Sequence, residues 1–130
     1  VAGGQMGAAM TVVAWVCVAL LGGAGAVARF LVDRAVSHRL PGLFPSGIFV
    51  VNISGALVLG VITGLAPGPT TTLLAGVAFV GAYTTFSTWM LQTLELRDGG
   101  RTGLAVTNIV ASVILGLAAA AAGHWIGTLL

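Results

Sequence analysis

Apolar positions run in four long blocks, at about 11 to 32, 47 to 66, 72 to 95 and 103 to 127, and proline, glycine and charged residues gather between them. Each block is continuously apolar and rich in Ala, Leu and Val, so each predicts a helix. A barrel would instead need roughly ten-residue segments of alternating polarity. A span takes about 20 mostly apolar residues, so the 130 residues hold four spans and little else. The expected fold is an all-α membrane protein with four transmembrane helices in a single domain at 11–127, between an N-terminal tail at 1–10 and a C-terminal tail at 128–130. The stretch from Thr11 to Ala28 lacks the basic lead and small-residue cleavage site of a signal peptide and is read as mature structure. Of the three connectors, Asp33 to Ser46 has room for one interfacial turn or short helix before Pro41 and Pro45 stop it. Pro67 to Thr71 and Leu96 to Thr102 are hairpin turns.

Composition narrows the function. The chain is 58% hydrophobic with a mean hydropathy of +1.10 and carries five basic and three acidic side chains, which excludes a water-soluble domain. Cys17 is the only cysteine, so an intrachain disulfide and any multi-cysteine metal or redox site are excluded. The five basic residues are all Arg and are dispersed, too few for the basic face that duplex binding requires, so no nucleic-acid partner is expected. All five fall on or toward the side of the first and third connectors: Arg29 in span one, Arg34 and Arg39 in the first connector, Arg97 and Arg101 in the third. By the positive-inside rule that side is cytoplasmic and both termini are outside.

Transporters and enzymes need ionisable groups at depth, and the blocks hold almost none. Asp33, Glu95 and Asp98 sit at or near block ends, and His38 and His124 lie in a connector and near the last terminus. No nucleophile, base and orienting group stand in a recognisable arrangement, so the chain is not expected to be an enzyme. What remains is neutral. Asn52 lies in span two, and Asn108 and Ser112, four residues apart, share one face of span four with Gly116. These either glue helices together or donate hydrogen bonds to something small and polar. Glycines inside the spans, including Gly60 and Gly64, call for close helix partners in this subunit or another. Span three reads Gly81-Ala82-Tyr83-Thr84-Thr85-Phe86-Ser87-Thr88-Trp89, with four hydroxyls in five residues. Such a run predicts a break near Gly81 to Thr85 whose freed carbonyls suit a hard monovalent cation, with Phe86 and Trp89 on one face below it. The alternative is an intact helix whose hydroxyls bond back to its own carbonyls.

Gly81 to Thr88 resembles the G-G-x-T-T-F-S-T box of the Fluc (CrcB) fluoride channels. Further matches follow in order: Gly22-Gly23-Ala24-Gly25-Ala26 with Arg29 in the first span, Phe44-Pro45-x-Gly47 with Val51-Asn52-x-x-Gly55 in the second, and Ser112-x-x-x-Gly116 in the fourth. The resemblance covers about Gly22 to Gly123. It implies a prokaryotic plasma-membrane protein whose four-span subunit pairs in antiparallel orientation with an identical or paralogous second subunit, giving two fluoride pores around a central structural sodium ion. It further implies that backbone carbonyls of Gly81 and Thr84 hold the sodium, that Asn52, Phe86, Thr88, Trp89, Asn108 and Ser112 line the fluoride path, and that Arg29 stands in a vestibule. The implied role is passive export of fluoride from the cytoplasm: HF crosses membranes, loses its proton inside, and leaves fluoride to accumulate. Fluoride only accepts hydrogen bonds, and Asn52, Thr88 and Ser112 are neutral donors suited to it.

The chain also departs from the family pattern. Ile48 stands at a usual Thr, Trp89 at the second Phe, Gln92 at a usual Glu, Asn108 where Tyr is common, and Ala82 at a box glycine. With the Arg bias, these departures fit one member of a heterodimeric pair; ordinary variation in a homodimer is the alternative. Two rival readings are a non-conducting accessory subunit and a small multidrug-resistance transporter, the latter needing a carboxylate inside span one that the block at 11–32 lacks.

Overall fold

The computed structural model describes residues 2–130, with Val1 and the side chains at 2–6 and 8–10 of the expected tail outside the described residues. Four helical spans are long and apolar enough to cross a membrane, and no strand occurs among the described residues. Helix α1 covers Ala2–Arg39 and α2 Ser46–Leu65. The third span falls into two parts: α3, a continuous helical run at 69–83, and α4, Ser87–Asp98. Helix α5 covers Thr102–Leu129.

The first connector is shorter than its composition suggests, because the polar stretch that follows the first apolar block stays helical as far as Arg39. From Thr11 to Arg39 are 29 residues, about 44 Å of helix, more than the ~30 Å hydrocarbon core, so the charged end stands clear of it. Arg29 therefore lies well inside α1 rather than at the end of a span. A bend at 40–45 turns the chain into α2.

Helices α2 and α5 form the tightest pair. A Cβ on Gly60 would collide with the Ala120 carbonyl and stand 2.9 Å from the His124 nitrogen, and one on Gly123 would collide with the Leu57 carbonyl. Gly64 and Gly127 meet the same way, backbone to backbone. The close partner that the glycines call for is thus within the subunit, and the small residues let dispersion act between backbones where lipid gives no hydrophobic drive. Helix α1 packs on α3 through Gly25, where a Cβ would strike the Phe79 carbonyl.

The third span is irregular twice over. Within α3, Thr72–Val80 is a π-helix; wide turns of this kind recur at functional sites. The helix then stops at Tyr83, Thr84 takes an extended backbone with φ −80° and ψ 161°, and α4 starts at Ser87. The third helix is broken in its middle, as the hydroxyl run predicts. The interruption falls at Thr84 to Phe86, while Gly81 is still helical.

Candidate functional site

The open turn frees backbone groups at membrane depth, and side chains from two other spans take some of them up. Asn52 on α2 does most: its Nδ2 donates to the Thr85 carbonyl and its Oδ1 accepts the Thr85 N–H, both at 2.9 Å. This pair of bonds clamps the extended stretch against α2 as a strand partner would. Arg29 on α1 donates through Nη1 to the Thr84 carbonyl at 3.3 Å. Thr85 closes the start of α4, its Oγ1 accepting the Thr88 N–H at 3.3 Å and also lying 3.3 Å from Thr88 Oγ1, the work of a helix N-cap. Thr84 Oγ1 bonds back to Val80, and Tyr83 and Ser54 join hydroxyls at 2.9 Å across to α2.

The carbonyls at 81–85 lose their usual helical donors in this arrangement, Gly81 and Thr84 among them. The N–H that would close a turn on Gly81 belongs to Thr85 and goes to Asn52, and the one that would close on Thr84 belongs to Thr88 and goes to Thr85 Oγ1. Both residues border an open, mostly apolar groove together with Asn52, Leu59, Gly76 and Val80. Neutral carbonyl oxygens suit a hard monovalent cation in kind. Two from one chain supply only part of the roughly six oxygens such an ion takes, and that of Thr84 also accepts from the Arg29 guanidinium, so the residues fit sodium only as a partial set of ligands. Among the described residues no group of three or more His, Cys, Asp or Glu stands where it would hold a metal.

Residues 16–124 match the family model described as CrcB-like protein, Camphor Resistance (CrcB). The chain belongs to the CrcB family. It is 56% identical over 118 residues to the protein named Fluoride-specific ion channel FluC 2 of Mycobacterium tuberculosis, spanning 91% of this chain and 94% of that one. To Fluoride-specific ion channel FluC 1 of Symbiobacterium thermophilum it is 44% identical over 119 residues, 87% of this chain and 93% of that one. To FluC 1 of Leifsonia xyli the figure is 38% over 124 residues, 92% and 90%. These are names of channels, in keeping with the expectation that the chain is not an enzyme.

In this CrcB chain the residues singled out from sequence separate into two groups. Gly81, Thr84, Asn52, Arg29, Phe86 and Thr88 gather at or beside the open turn. Phe86 is 69% exposed and meets Trp89 edge to face, centroids 5.7 Å apart and planes at 79°; the two share one side of the turn, as their spacing predicts. Asn108 and Ser112 belong instead to the packing between α4 and α5. Trp89 bridges the groups, since its indole Nε1 donates to the Asn108 carbonyl at 3.3 Å. Asn108 is fully buried, and its Nδ2 donates to Thr93 Oγ1 at 3.0 Å. Gln92 Oε1, Asn108 Oδ1 and Ser112 Oγ are buried without a partner in the chain. Thr93, Thr85, Tyr83 and Ser54 take part in these networks; Tyr83 and Thr85 lie in the run that predicts the break, while Ser54 and Thr93 are not singled out by the sequence. Of these last two, Thr93 had a signal, standing four residues after Trp89 and so on the same helix face.

At the connector end a cavity opens between the first and third connectors, lined by Ser37, Phe44, Gln92, Glu95 and Arg101 among others. Asp33 does not reach into it as a lone acid: it accepts a bond from Ser37 at 3.3 Å and packs on Gly47.

Proposed function

We propose that this chain is a subunit of a passive, fluoride-selective channel that exports fluoride from the cytoplasm, working as an antiparallel dimer with two pores and a structural sodium ion between its subunits. The observation that carries this reading is the open turn at Thr84 to Phe86, clamped by Asn52 at membrane depth, with the neutral donors Asn52 and Thr88 beside it and the Arg29 guanidinium taken up by the Thr84 carbonyl. Asn52 spends one of its two amide protons on Thr85 and keeps the other. The Thr88 hydroxyl lies 3.3 Å from Thr85 Oγ1, within reach of the same turn. Phe86 turns an exposed ring toward the outside of the subunit, and the edge of such a ring is positive. Donors without a fixed counter-charge let a small, strongly hydrated anion enter and leave.

The incomplete ligand set of Gly81 and Thr84 supports a two-fold partner. A second copy, or a paralogue, set antiparallel on the open groove would bring its own two carbonyls to the same ion, whose role is structural: it would neutralise the facing carbonyl oxygens and fix the two broken spans together. Relatives numbered FluC 1 and FluC 2 make a paralogous partner as open a choice as an identical one. Charge supports an orientation with connectors one and three in the cytoplasm, since Arg39, Arg97 and Arg101 all end there.

The test is fluoride efflux from liposomes containing the purified chain, alone and with a paralogous subunit, with chloride as the control anion. Fluoride-selective efflux from the chain alone is the result for a homodimer; efflux only with the paralogue is the result for a paired channel. Silence in both overturns the reading in favour of an accessory subunit.

A further inference from the structure

The packing between α4 and α5 fixes which way Asn108 faces. Thr93 has one hydroxyl proton, and it goes to the Trp89 carbonyl at 2.8 Å, an oxygen that can only accept. Its Oγ1 is left as an acceptor, so the atom Asn108 places against it at 3.0 Å must be the amide nitrogen. The Trp89 indole closes the ring of bonds by donating to the Asn108 backbone carbonyl at 3.3 Å. Asn108 is 0% exposed, so its amide oxygen is held in the interior, turned from Thr93 and without a partner in the chain.

Two further unpartnered atoms lie along the same two helices, Gln92 Oε1 and Ser112 Oγ. The antiparallel register that sets Thr93 against Asn108 puts Gln92 at a level between Asn108 and Ser112, and the latter two share a face of α5. Gln92 also lines the cavity at the connector end. These three residues form a polar line at the levels 108 to 112 of α5, and Gln92 is its member that meets an opening.

We propose that Asn108, locked by Trp89 and Thr93, is the barrier that limits fluoride passage along this chain's own polar line. The proposal rests on the channel reading above and names the residue that restrains it. Fluoride needs donors, and the lock presents an acceptor. A buried amide oxygen accepts from water and repels an anion, so in this orientation Asn108 offers fluoride nothing to bind. Fluoride passes when the amide turns, which requires the bond from Asn108 to Thr93 to break. Trp89 and Thr93 are positioning residues in this scheme.

The test pairs transport with a readout of the lock itself, in the full chain in liposomes. With 15N-labelled asparagine, the Asn108 side-chain amide, assigned by its disappearance in Asn108→Ser, is expected to exchange its protons slowly with deuterated water. Thr93→Val keeps the side chain's shape and removes the acceptor. It is expected to speed that exchange about tenfold and raise fluoride efflux about fivefold, with chloride still excluded. Trp89→Phe, which keeps an aromatic ring beside Phe86 and removes the indole donor, is expected to act in the same direction and serves if Thr93→Val does not fold. Exchange unchanged in both variants overturns the lock. Faster exchange with efflux unchanged or lower overturns the barrier. Faster exchange with no fluoride efflux from wild type or variants, alone or with a paralogue, fells the channel reading and the barrier with it.

Discussion

Helix α5 is held by two neighbours in opposite ways. Against α2 the contact is backbone on backbone, with Gly60, Gly64, Gly123 and Gly127 leaving no room for a Cβ. Against α4 it runs through side chains, Trp89 and Thr93 meeting Asn108. The first kind of contact fixes distance, and its one side-chain hydrogen bond, between Thr63 Oγ1 and His124 Nδ1 at 3.4 Å, lies toward the end of α2. The second fixes orientation and leaves polar atoms unpaired. The open turn extends that second kind across the molecule, since Asn52 and Arg29 meet backbone carbonyls rather than one another. A rigid glycine seam on one side is what lets the polar side stay only partly satisfied.

Overfilling the glycine seam is the severest way to break this comparison. Gly60→Leu drives a side chain into the Ala120 carbonyl, and unfolding in detergent should show a loss of about 3 kcal/mol or more, with fluoride transport lost as a consequence. A variant as stable as wild type would mean that the seam is looser than its contacts. Next comes the clamp. Asn52→Ala leaves the N–H and carbonyl of Thr85 unpaired at membrane depth, so thermal unfolding should register a loss of about 2 kcal/mol. Here transport should fall further than stability, because the open turn is no longer held.

The contrast between the seams also separates what sequence could reveal from what it could not. Four spans were legible because continuous apolar blocks permit little else, and the break was legible because four hydroxyls behind a glycine compete for helical carbonyls. The Gly60 and Gly64 spacing announced close packing but not its partner, since any small-residue face would serve. The clamp was hidden: Asn52 and Thr85 are 33 residues apart in sequence, and an amide inside a span reads equally well as a donor to a ligand. Thr72–Val80 left no mark of its wide turns, since a π-helix and an α-helix use the same apolar residues. The polar end of α1 hid its own helix, because charge there signals departure from lipid and not from helical structure. For the site, residue types and rough positions were readable, while the inward turn of Asn108 depends on a proton count at Thr93 that only geometry supplies.

Smaller effects sharpen the comparison. Arg29→Gln removes a charged donor from the Thr84 carbonyl at 3.3 Å, and a destabilisation of about 1 kcal/mol is expected from the same unfolding measurement. Arg97 and Asp98 form an ion pair with side chains 61% and 70% exposed. Asp98→Asn should therefore change stability by no more than about 0.5 kcal/mol, less as salt is raised.

The central claim is that the clamped turn serves passive fluoride passage. Its most direct test is fluoride efflux from liposomes with and without an imposed pH gradient, comparing wild type with Asn52→Ala under whichever subunit pairing conducts. The account predicts fluoride-selective efflux that follows the fluoride gradient and membrane potential, is indifferent to the pH gradient, and is lost in Asn52→Ala. Efflux driven by the pH gradient, or undiminished in the folded variant, would contradict it.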